Sequence, residues 1–146
     1  MASAARSLAS CIFCKIIKGD IPSFKLIETE LSYSFLDIGP LSKGHALIIP
    51  KDHTEKMHEL SDEYLADAMP IAKRIAAAQG LENYNILQNN GRIAHQEVLH
   101  VHFHVIPKPS ASDDAGLVIG WPASTPAKDD LKALQEEILG KLSKLV

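Results

Sequence analysis

Apolar residues follow two patterns along this chain. Spacings of three and four predict helices, and short apolar runs predict strands. Apolar residues spaced three and four apart predict a helix from Ser61 to Gln79, with Ser61 or Asp62 as its N-cap and Gly80 after its end. Its predicted apolar face consists of Leu65, Ala68, Met69, Ala72, Ile75, Ala76 and Gln79. Pro70 lacks a backbone donor, so we expect the helix to bend there.

Two other segments have helical periodicity. Residues 12–18 predict a short amphipathic helix that ends at Gly19. A C-terminal helix is predicted from Pro126, with Thr125 as its N-cap. The apolar face of this second helix is predicted to consist of Leu131, Leu134, Ile138 and Leu142.

Shorter apolar runs, bounded by turn residues, predict strands. The predicted strands are Lys25–Glu28, Ser32–Leu36, His45–Pro50, Asn83–Gln88 and Val98–Ile106. They follow one another in meander-like order instead of alternating regularly with helices. This order favours an α+β fold with an antiparallel sheet of about five strands and two main helices.

Composition and charge narrow the classes of function. The 146 residues fit a single domain, which we place at residues 11–146 after a disordered lead-in at residues 1–10. A net charge of −3 gives no basic field, so we expect no nucleic-acid partner. Because no apolar run reaches the ~18 residues that span a bilayer, we expect no membrane partner. Residues 1–10 lack the apolar segment of a secretory signal, so we expect a cytoplasmic location.

The candidate chemistry is concentrated at His100, His102 and His104, which occupy alternate positions of the last predicted strand. Alternate side chains of a strand share one face, so the three imidazoles form a row. Mutual repulsion and burial both disfavour protonation, so at least one ring stays neutral at about pH 7 with a free nitrogen. Such a nitrogen is a nucleophile or a metal ligand. The spacing alone leaves a nucleophilic centre, a zinc or copper site and a coincidental row as alternatives.

The run 100–106 fits the pattern His-φ-His-φ-His-φ-φ, in which φ is an apolar residue. Further segments stand in a matching order at 11–17, 35–38, 44–53 and 96–98. Together they resemble the histidine-triad nucleotide-binding family from Cys11 to Ile106. The resemblance implies a protomer that forms a homodimer edge to edge, and a nuclear as well as a cytoplasmic location. It also implies transfer of a nucleotidyl group through a phosphohistidine intermediate.

The resemblance assigns a role to each candidate residue. His102 is implied as the nucleophile toward the α-phosphorus, and His104 as a contact to the phosphate. His100 and His45 are implied to orient the catalytic set, and Asp37 to accept hydrogen bonds from the ribose. The implied walls of the base pocket are Phe13, Ile16, Phe35 and Ile38. The implied polar contacts to the phosphate and leaving group are Asn89 and Gln96.

Cys11 and Cys14 form a C-x-x-C pair, which by itself leaves metal binding, redox chemistry and buried thiols open. In some members of the resembled family, and in the related galactose-1-phosphate uridylyltransferases, such a pair holds zinc together with two histidines. By that resemblance, His53 and His100 complete a Cys2His2 zinc set. His100 would then be a structural ligand and not a free base.

The resemblance implies a purine nucleoside phosphoramidase, which cleaves adenosine 5′-phosphoramidates and releases AMP. Two alternatives stay open: a dinucleoside polyphosphate hydrolase, and a non-catalytic interaction protein that binds nucleotide or zinc. Glu97 departs from the phosphoramidase pattern, which commonly has serine at this position near the leaving group. Trp121 resembles a C-terminal tryptophan that approaches the active site of the partner protomer.

Overall fold

The computed structural model describes residues 4–145, which form five strands and three helices. In chain order the elements are α1 (Ile12–Lys18), β1 (Lys25–Glu28), β2 (Ser32–Leu36), β3 (Ala46–Pro50), α2 (Asp62–Ala78), β4 (Tyr84–Gln88), β5 (Phe103–Pro107) and α3 (Lys128–Leu142). The strands lie in the order β1-β2-β3-β5-β4, and every neighbouring pair is antiparallel. The predicted α+β class with a five-stranded antiparallel sheet is therefore confirmed.

A helix covers each face of the central strands. One apolar cluster joins α2 to Ala46, Ile48, Phe103 and Val105. The other joins α1 to Tyr33, Phe35, Leu47 and Ile49. Because successive side chains of a strand point to opposite faces, position along β3 and β5 decides which helix a side chain meets. Leu47 pairs with His104 in the register, so His104 lies on the face that carries α1.

The short helix α1 has the bounds that its sequence predicts. It ends at Gly19, which adopts the left-handed conformation (φ 86°) that a residue without Cβ accepts at little cost. The backbone N–H of Gly19 donates to the carbonyl of Ile16 at 3.0 Å. This compact end lets the helix bury Phe13 and Cys14 against the sheet.

The last strand begins at Phe103 and not at Val98, so the prediction of its start was wrong. Pro50 has no N–H with which to extend the ladder, and its carbonyl accepts from His100 Nε2 at 2.8 Å. Val101 instead donates to the carbonyl of Thr54 at 2.9 Å. His100 and His102 therefore lie in an irregular lead into β5. The alternation of faces nevertheless continues, because Val101 packs with Phe103 and Val105 on the α2 side.

The helix α2 matches its predicted bounds and continues through Pro70, but its buried face differs from the prediction. Ile71 is 2% exposed, whereas Met69 is 39% exposed. Ile71 shares the three- and four-residue spacing of Ala68 and Ile75, which both contact the sheet cluster. The apolar stripe is therefore rotated away from Met69.

The C-terminal helix α3 begins at Lys128, later than the predicted start at Pro126. Ala127 precedes it in an extended conformation (φ −65°, ψ 147°) and takes the N-cap position predicted for Thr125. All residues of α3 are exposed, including the predicted apolar face. Within residues 4–145, no helix is long and apolar enough to cross a membrane.

The described part of the predicted lead-in contacts the domain; its first three residues lie outside the described range. Arg6 donates from Nη2 to Asp52 Oδ2 and from its backbone N–H to Asp52 Oδ1, each at 2.7 Å. The backbone N–H of Leu8 donates to Cys14 Sγ at 3.4 Å. Residues 6–8 thus lie against α1 and the loop that follows β3.

Candidate active site

Histidine side chains from β5 and from the segments next to β3 and β5 meet in two groups. His102 and His104 have ring centroids 4.9 Å apart, and those of His104 and His45 are 5.1 Å apart. The second pair, His53 and His100, has centroids 4.9 Å apart. The first group lines an open cleft, and the second lies beside the two cysteines.

The hydrogen bonding of His102 orients one ring nitrogen for chemistry. Its Nδ1 lies 2.7 Å from the backbone carbonyl of His100, which can only accept, so Nδ1 carries the hydrogen. Nε2 of the neutral ring then holds a free lone pair. Phe13 packs edge-on against this ring, with centroids 5.0 Å apart. The ring is therefore held in place with a neutral, unprotonated Nε2, as nucleophilic chemistry requires.

His45 and His104 are joined by a second set of hydrogen bonds. The backbone N–H of Leu41 donates to His45 Nδ1 at 3.1 Å, which places the hydrogen of the neutral ring on Nε2. His45 Nε2 donates to His104 Nδ1 at 2.9 Å. The remaining N–H of His104 is then at Nε2. Since His104 lines the cleft, this N–H can donate to an anionic oxygen bound there.

Burial keeps the histidines of the cleft neutral. It lowers the pKa of His102, against a backbone hydrogen bond and the charges of Asp37 and Glu97, which raise it. Burial lowers the pKa of His104 to about 4, and repulsion from His102 and His45 acts in the same direction. Burial also lowers the pKa of His45, with Asp37 opposing. The unprotonated form that a nucleophile requires is therefore favoured.

The cleft has a volume of about 450 Å³ and contains several of the predicted residues. Those that line it are His45, His102, His104, Asp37 and Asn89. Asp37 follows β2, and its Oδ1 accepts the backbone N–H of Gly39 at 2.8 Å. Asn89 follows β4 and donates from Nδ2 to the carbonyl of Ala94 at 2.7 Å. Both polar side chains are thus fixed at the cleft by short-range hydrogen bonds.

Gln96, a predicted contact to the phosphate or leaving group, does not line the cleft. It is 1% exposed, and both of its polar atoms bond within the protein. Its Oε1 accepts the N–H of Gly91 at 2.7 Å, and its Nε2 donates to the carbonyl of Glu55 at 2.6 Å. These bonds make Gln96 an internal brace of the loop between β4 and the histidines.

The predicted walls of a base pocket divide into two sets. Phe13, Ile16 and Phe35 are buried together on the α1 side of the sheet. Phe13 and Phe35 pack edge to face with centroids 5.9 Å apart. Ile38, in the loop after β2, is 87% exposed. Of the first three, Phe13 packs against the rings of His100 and His102, and Ile38 provides apolar surface beside Asp37.

The predicted metal ligands come together. Cys11, Cys14, His53 and His100 place one donor atom each within 4.8 Å of one another. His100 Nδ1 lies 3.4 Å from Cys11 Sγ and 3.6 Å from Cys14 Sγ. His53 Nδ1 lies 3.4 Å from Cys14 Sγ and 3.1 Å from His100 Nδ1. Four ligand atoms from three separate segments of the chain thus surround one point.

A hydrogen bond of its other ring nitrogen, Nε2, fixes the orientation of the His100 ring. Its Nε2 donates to the carbonyl of Pro50, so Nδ1 presents its lone pair to the sulfur atoms. Burial lowers the pKa of His100 to about 4, and the neighbouring His53 and His102 lower it further. Burial raises the pKa of the Cys11 thiol. His100 is therefore neutral, with Nδ1 free to act as a ligand.

Three further residues with polar or aromatic side chains line the cleft: His95, Glu97 and Trp121. His95 adopts a left-handed conformation (φ 66°) after a single 3₁₀ turn. Trp121 was expected beside a partner's site, and it lines the cleft of its own chain while 68% exposed. For His95, the available signal was its position in the loop that joins Asn89 to the histidine run.

A family match, similar proteins and a similar solved structure all relate this chain to histidine-triad proteins. The HIT domain family matches residues 18–111. Adenosine 5′-monophosphoramidase HNT1 of Saccharomyces cerevisiae is 61% identical over 97% of this chain and 89% of that protein. The protein of the same name in Schizosaccharomyces pombe is 62% identical over 91% of this chain and 98% of that protein. The crystal structure of the histidine triad nucleotide-binding protein from Candida albicans has a TM-score of 0.89 and 52% identity, covering 94% of this chain and 100% of that one.

Proposed function

This chain belongs to the HIT domain family, and we propose from that premise that it is an adenosine 5′-phosphoramidate hydrolase acting through His102. The observation that carries the proposal is the hydrogen bond from His102 Nδ1 to the carbonyl of His100, which leaves Nε2 free to attack phosphorus. The two fungal relatives described above, at 61% and 62% identity, are named adenosine 5′-monophosphoramidases. Purine nucleotides, with AMP as a product, are therefore its proposed ligands.

The proposed reaction has two displacements at phosphorus. In the first, the Nε2 lone pair of His102 forms a bond to the α-phosphorus, and the P–N bond breaks with its electron pair on the leaving nitrogen. That nitrogen takes up one proton and departs as the amine. In the second, water attacks phosphorus, the P–Nε2 bond breaks, and one proton is released. The products are the nucleoside 5′-monophosphate, the amine and neutral His102.

The side chains around His102 support this chemistry. The N–H of His104, whose other nitrogen accepts from His45, can donate to a phosphate oxygen as negative charge develops there. Asp37 offers a carboxylate to the two ribose hydroxyls from the cleft wall. Asn89 and the apolar Ile38 complete the proposed nucleotide contacts. Gln96 contributes by bracing the loop that carries Asn89.

We further propose that Cys11, Cys14, His53 and His100 hold a structural zinc ion. With Zn–S of about 2.3 Å and Zn–N of about 2.0–2.1 Å, a tetrahedral site has ligand separations of roughly 3.3 Å for N···N and 3.5 Å for S···N. The 3.1 Å between the two Nδ1 atoms and the 3.4 Å from Cys11 Sγ to His100 Nδ1 fit those separations. Zinc would supply structural cross-linking of α1 to the lead into β5.

A homodimer formed through β4 is the proposed assembly. The strand β4 lies at the edge of the sheet, where its outer N–H and C=O groups are available for pairing. Its Tyr84 and Ile86 are each 42% exposed. Light scattering should give twice the chain mass, and Ile86→Lys should reduce it to the mass of one chain. A single-chain mass for the unmodified protein would contradict the dimer.

Hydrolysis of an adenosine 5′-phosphoramidate tests the function directly. We expect turnover by the unmodified protein and a loss of at least about a thousandfold in His102→Ala, because the nucleophile is absent. His58→Ala, which removes an exposed histidine outside both groups, is the matched control and should retain turnover.

Two results would replace the proposal with its alternatives. Much faster cleavage of diadenosine triphosphate than of the phosphoramidate would assign the protein as a dinucleoside polyphosphate hydrolase. Binding of AMP with no turnover of either substrate would assign it as a non-catalytic binding protein.

A further inference from the structure

The electrostatics of the cleft are unusual for a site that receives phosphate. Two carboxylates line it, those of Asp37 and Glu97, and among residues 4–145 no lysine or arginine does. Asp37 is partly compensated, because it accepts a backbone N–H and lies 3.6 Å from His45 Nε2. The charge of Glu97 is therefore the one that an incoming ligand meets uncompensated.

The position of Glu97 is fixed by its neighbour. Gln96 is buried and bonded at both ends of its amide, which holds the backbone at the cleft. Glu97 itself is exposed, and within the described chain its carboxylate forms no ion pair within 4.0 Å and accepts no hydrogen bond. It also lines a second, smaller depression, of about 350 Å³, with Arg92 and Ile12. The carboxylate thus stands between the catalytic cleft and the surface that leads away from it.

The charge of Glu97 reaches the reacting group. It raises the pKa of His102, although burial dominates and the net shift is downward. Glu97 carries no other assigned duty, since His102, His104 and Asn89 already supply the nucleophile and the phosphate contacts. Because Glu97 lines the same cleft as His102, its negative charge attracts or repels the part of the substrate that extends beyond the phosphorus atom.

We propose that Glu97 determines leaving-group specificity, favouring phosphoramidates whose leaving amine carries a further positive charge and disfavouring leaving groups with further negative charge. This inference rests on the proposed function. The attraction is Coulombic and acts on the group that departs with the amine nitrogen, so Glu97 neither takes nor gives a proton in the reaction. The same repulsion acts against polyphosphate, whose leaving group carries several negative charges.

Three adenosine 5′-phosphoramidates of similar size test the proposal. Their leaving amines are 2-(trimethylammonio)ethylamine, its neutral isostere 3,3-dimethylbutylamine, and β-alanine, which is anionic. For the unmodified protein we expect kcat/KM to fall in that order. Glu97→Gln keeps the size and removes the charge, and it should lower the cationic-to-neutral ratio of kcat/KM by about twofold to fivefold. Glu97→Lys should reverse the order.

A matched variant and a salt series complete the experiment. Glu30→Gln, which neutralises an exposed carboxylate in the turn between β1 and β2, should leave the ratio as it is in the unmodified protein. Raising the ionic strength should lower the ratio in the unmodified protein and leave it constant in Glu97→Gln. Equal ratios in the unmodified protein and Glu97→Gln would overturn the proposal about Glu97 alone. Failure of the unmodified protein to cleave any of the three compounds would instead overturn the proposed function.

Discussion

His100 contributes to both histidine groups, because its backbone carbonyl accepts the N–H of His102 Nδ1 while its own Nδ1 faces the cysteine sulfurs. The carbonyl and the ring belong to one residue, so whatever holds the ring also holds the acceptor that orients His102, the proposed nucleophile. The four-donor group and the cleft are therefore mechanically connected through a single residue.

Metal binding should consequently affect both stability and turnover. Metal analysis of the purified protein should find about one zinc per chain, and Cys14→Ser should lose it. A ligand that binds only the folded state stabilises it, so we expect the melting temperature of Cys14→Ser to fall by at least about 5 °C. Turnover should also fall, since the carbonyl of His100 is less firmly held.

His58→Asn provides the control for the metal experiment, because His58 is an exposed histidine that is not among the four donors. It should retain the metal content, the melting temperature and the activity. Purified protein that is free of metal, yet as stable as the same protein after incubation with zinc, would contradict the zinc assignment.

The acid limb of the pH profile should lie below the ordinary histidine range. Burial lowers the pKa of His104 to about 4 and lowers those of His45 and His102 from 6.5. A lowered pKa extends the neutral form to lower pH, so kcat/KM should stay level as the pH falls through 6.5 and decline only below it. The measurement is kcat/KM for an adenosine phosphoramidate from about pH 4.5 to 8.

Asp37→Asn tests the direction of the shift in the histidine pKa values. The charge of Asp37 raises the pKa of all three rings, so its removal should move the acid limb to still lower pH, whatever its effect on KM. A limb at or above pH 6.5 in the unmodified protein, or an upward shift in the variant, is incompatible with neutral buried rings.

Lys108 should act on substrate binding through the loop that follows β5. Its Nζ donates to the carbonyls of Ser112, Ala115 and Leu117 at 2.8, 3.0 and 3.1 Å, and Leu117 lines the cleft. Lys108→Met removes these bonds while keeping much of the stem, so we expect KM to rise by about threefold to tenfold with a smaller change in kcat.

Gly116 lies in the same loop and offers an independent test. Its φ is +84°, and a Cβ there would lie 2.8 Å from the carbonyl oxygen of Pro107. Gly116→Ala should therefore raise KM in the same direction as Lys108→Met. Lys141→Met, on the exposed helix α3, is the control. Unchanged KM in both loop variants would show that this loop does not shape the cleft.

Local patterns predicted most of the secondary structure. The bounds of β1 and β2 follow from short apolar runs and an intervening turn, and those of α1 from its periodicity and Gly19. The start of β5 was not predictable in this way. The apolar run extends back to Val98, but the ladder stops where Pro50 offers no donor, and that depends on which strand lies alongside.

The sequence predicted which residue types form the site, but it did not predict which of them are buried and which line the cleft. The row of histidines and the Cys11–Cys14 pair are local signals, and the structure brings their side chains together. The burial of Gln96 and the exposure of Glu97 depend on the hydrogen bonds of Gln96 to Gly91, within the loop after β4, and to Glu55, outside it. Sequence spacing carries no information on these contacts, so the lining of the cleft required the structure.

Trapping the covalent intermediate is the most direct test that His102 is the nucleophile. Protein mixed with an adenosine 5′-phosphoramidate, quenched within one turnover and digested, should yield a single adenylated peptide with the modification on His102. His102→Ala should yield none, and His58→Ala should yield the same peptide as the unmodified protein. Turnover without any adenylated histidine, or adenylation at His104 or His45 in place of His102, would contradict the assignment of His102 as the nucleophile.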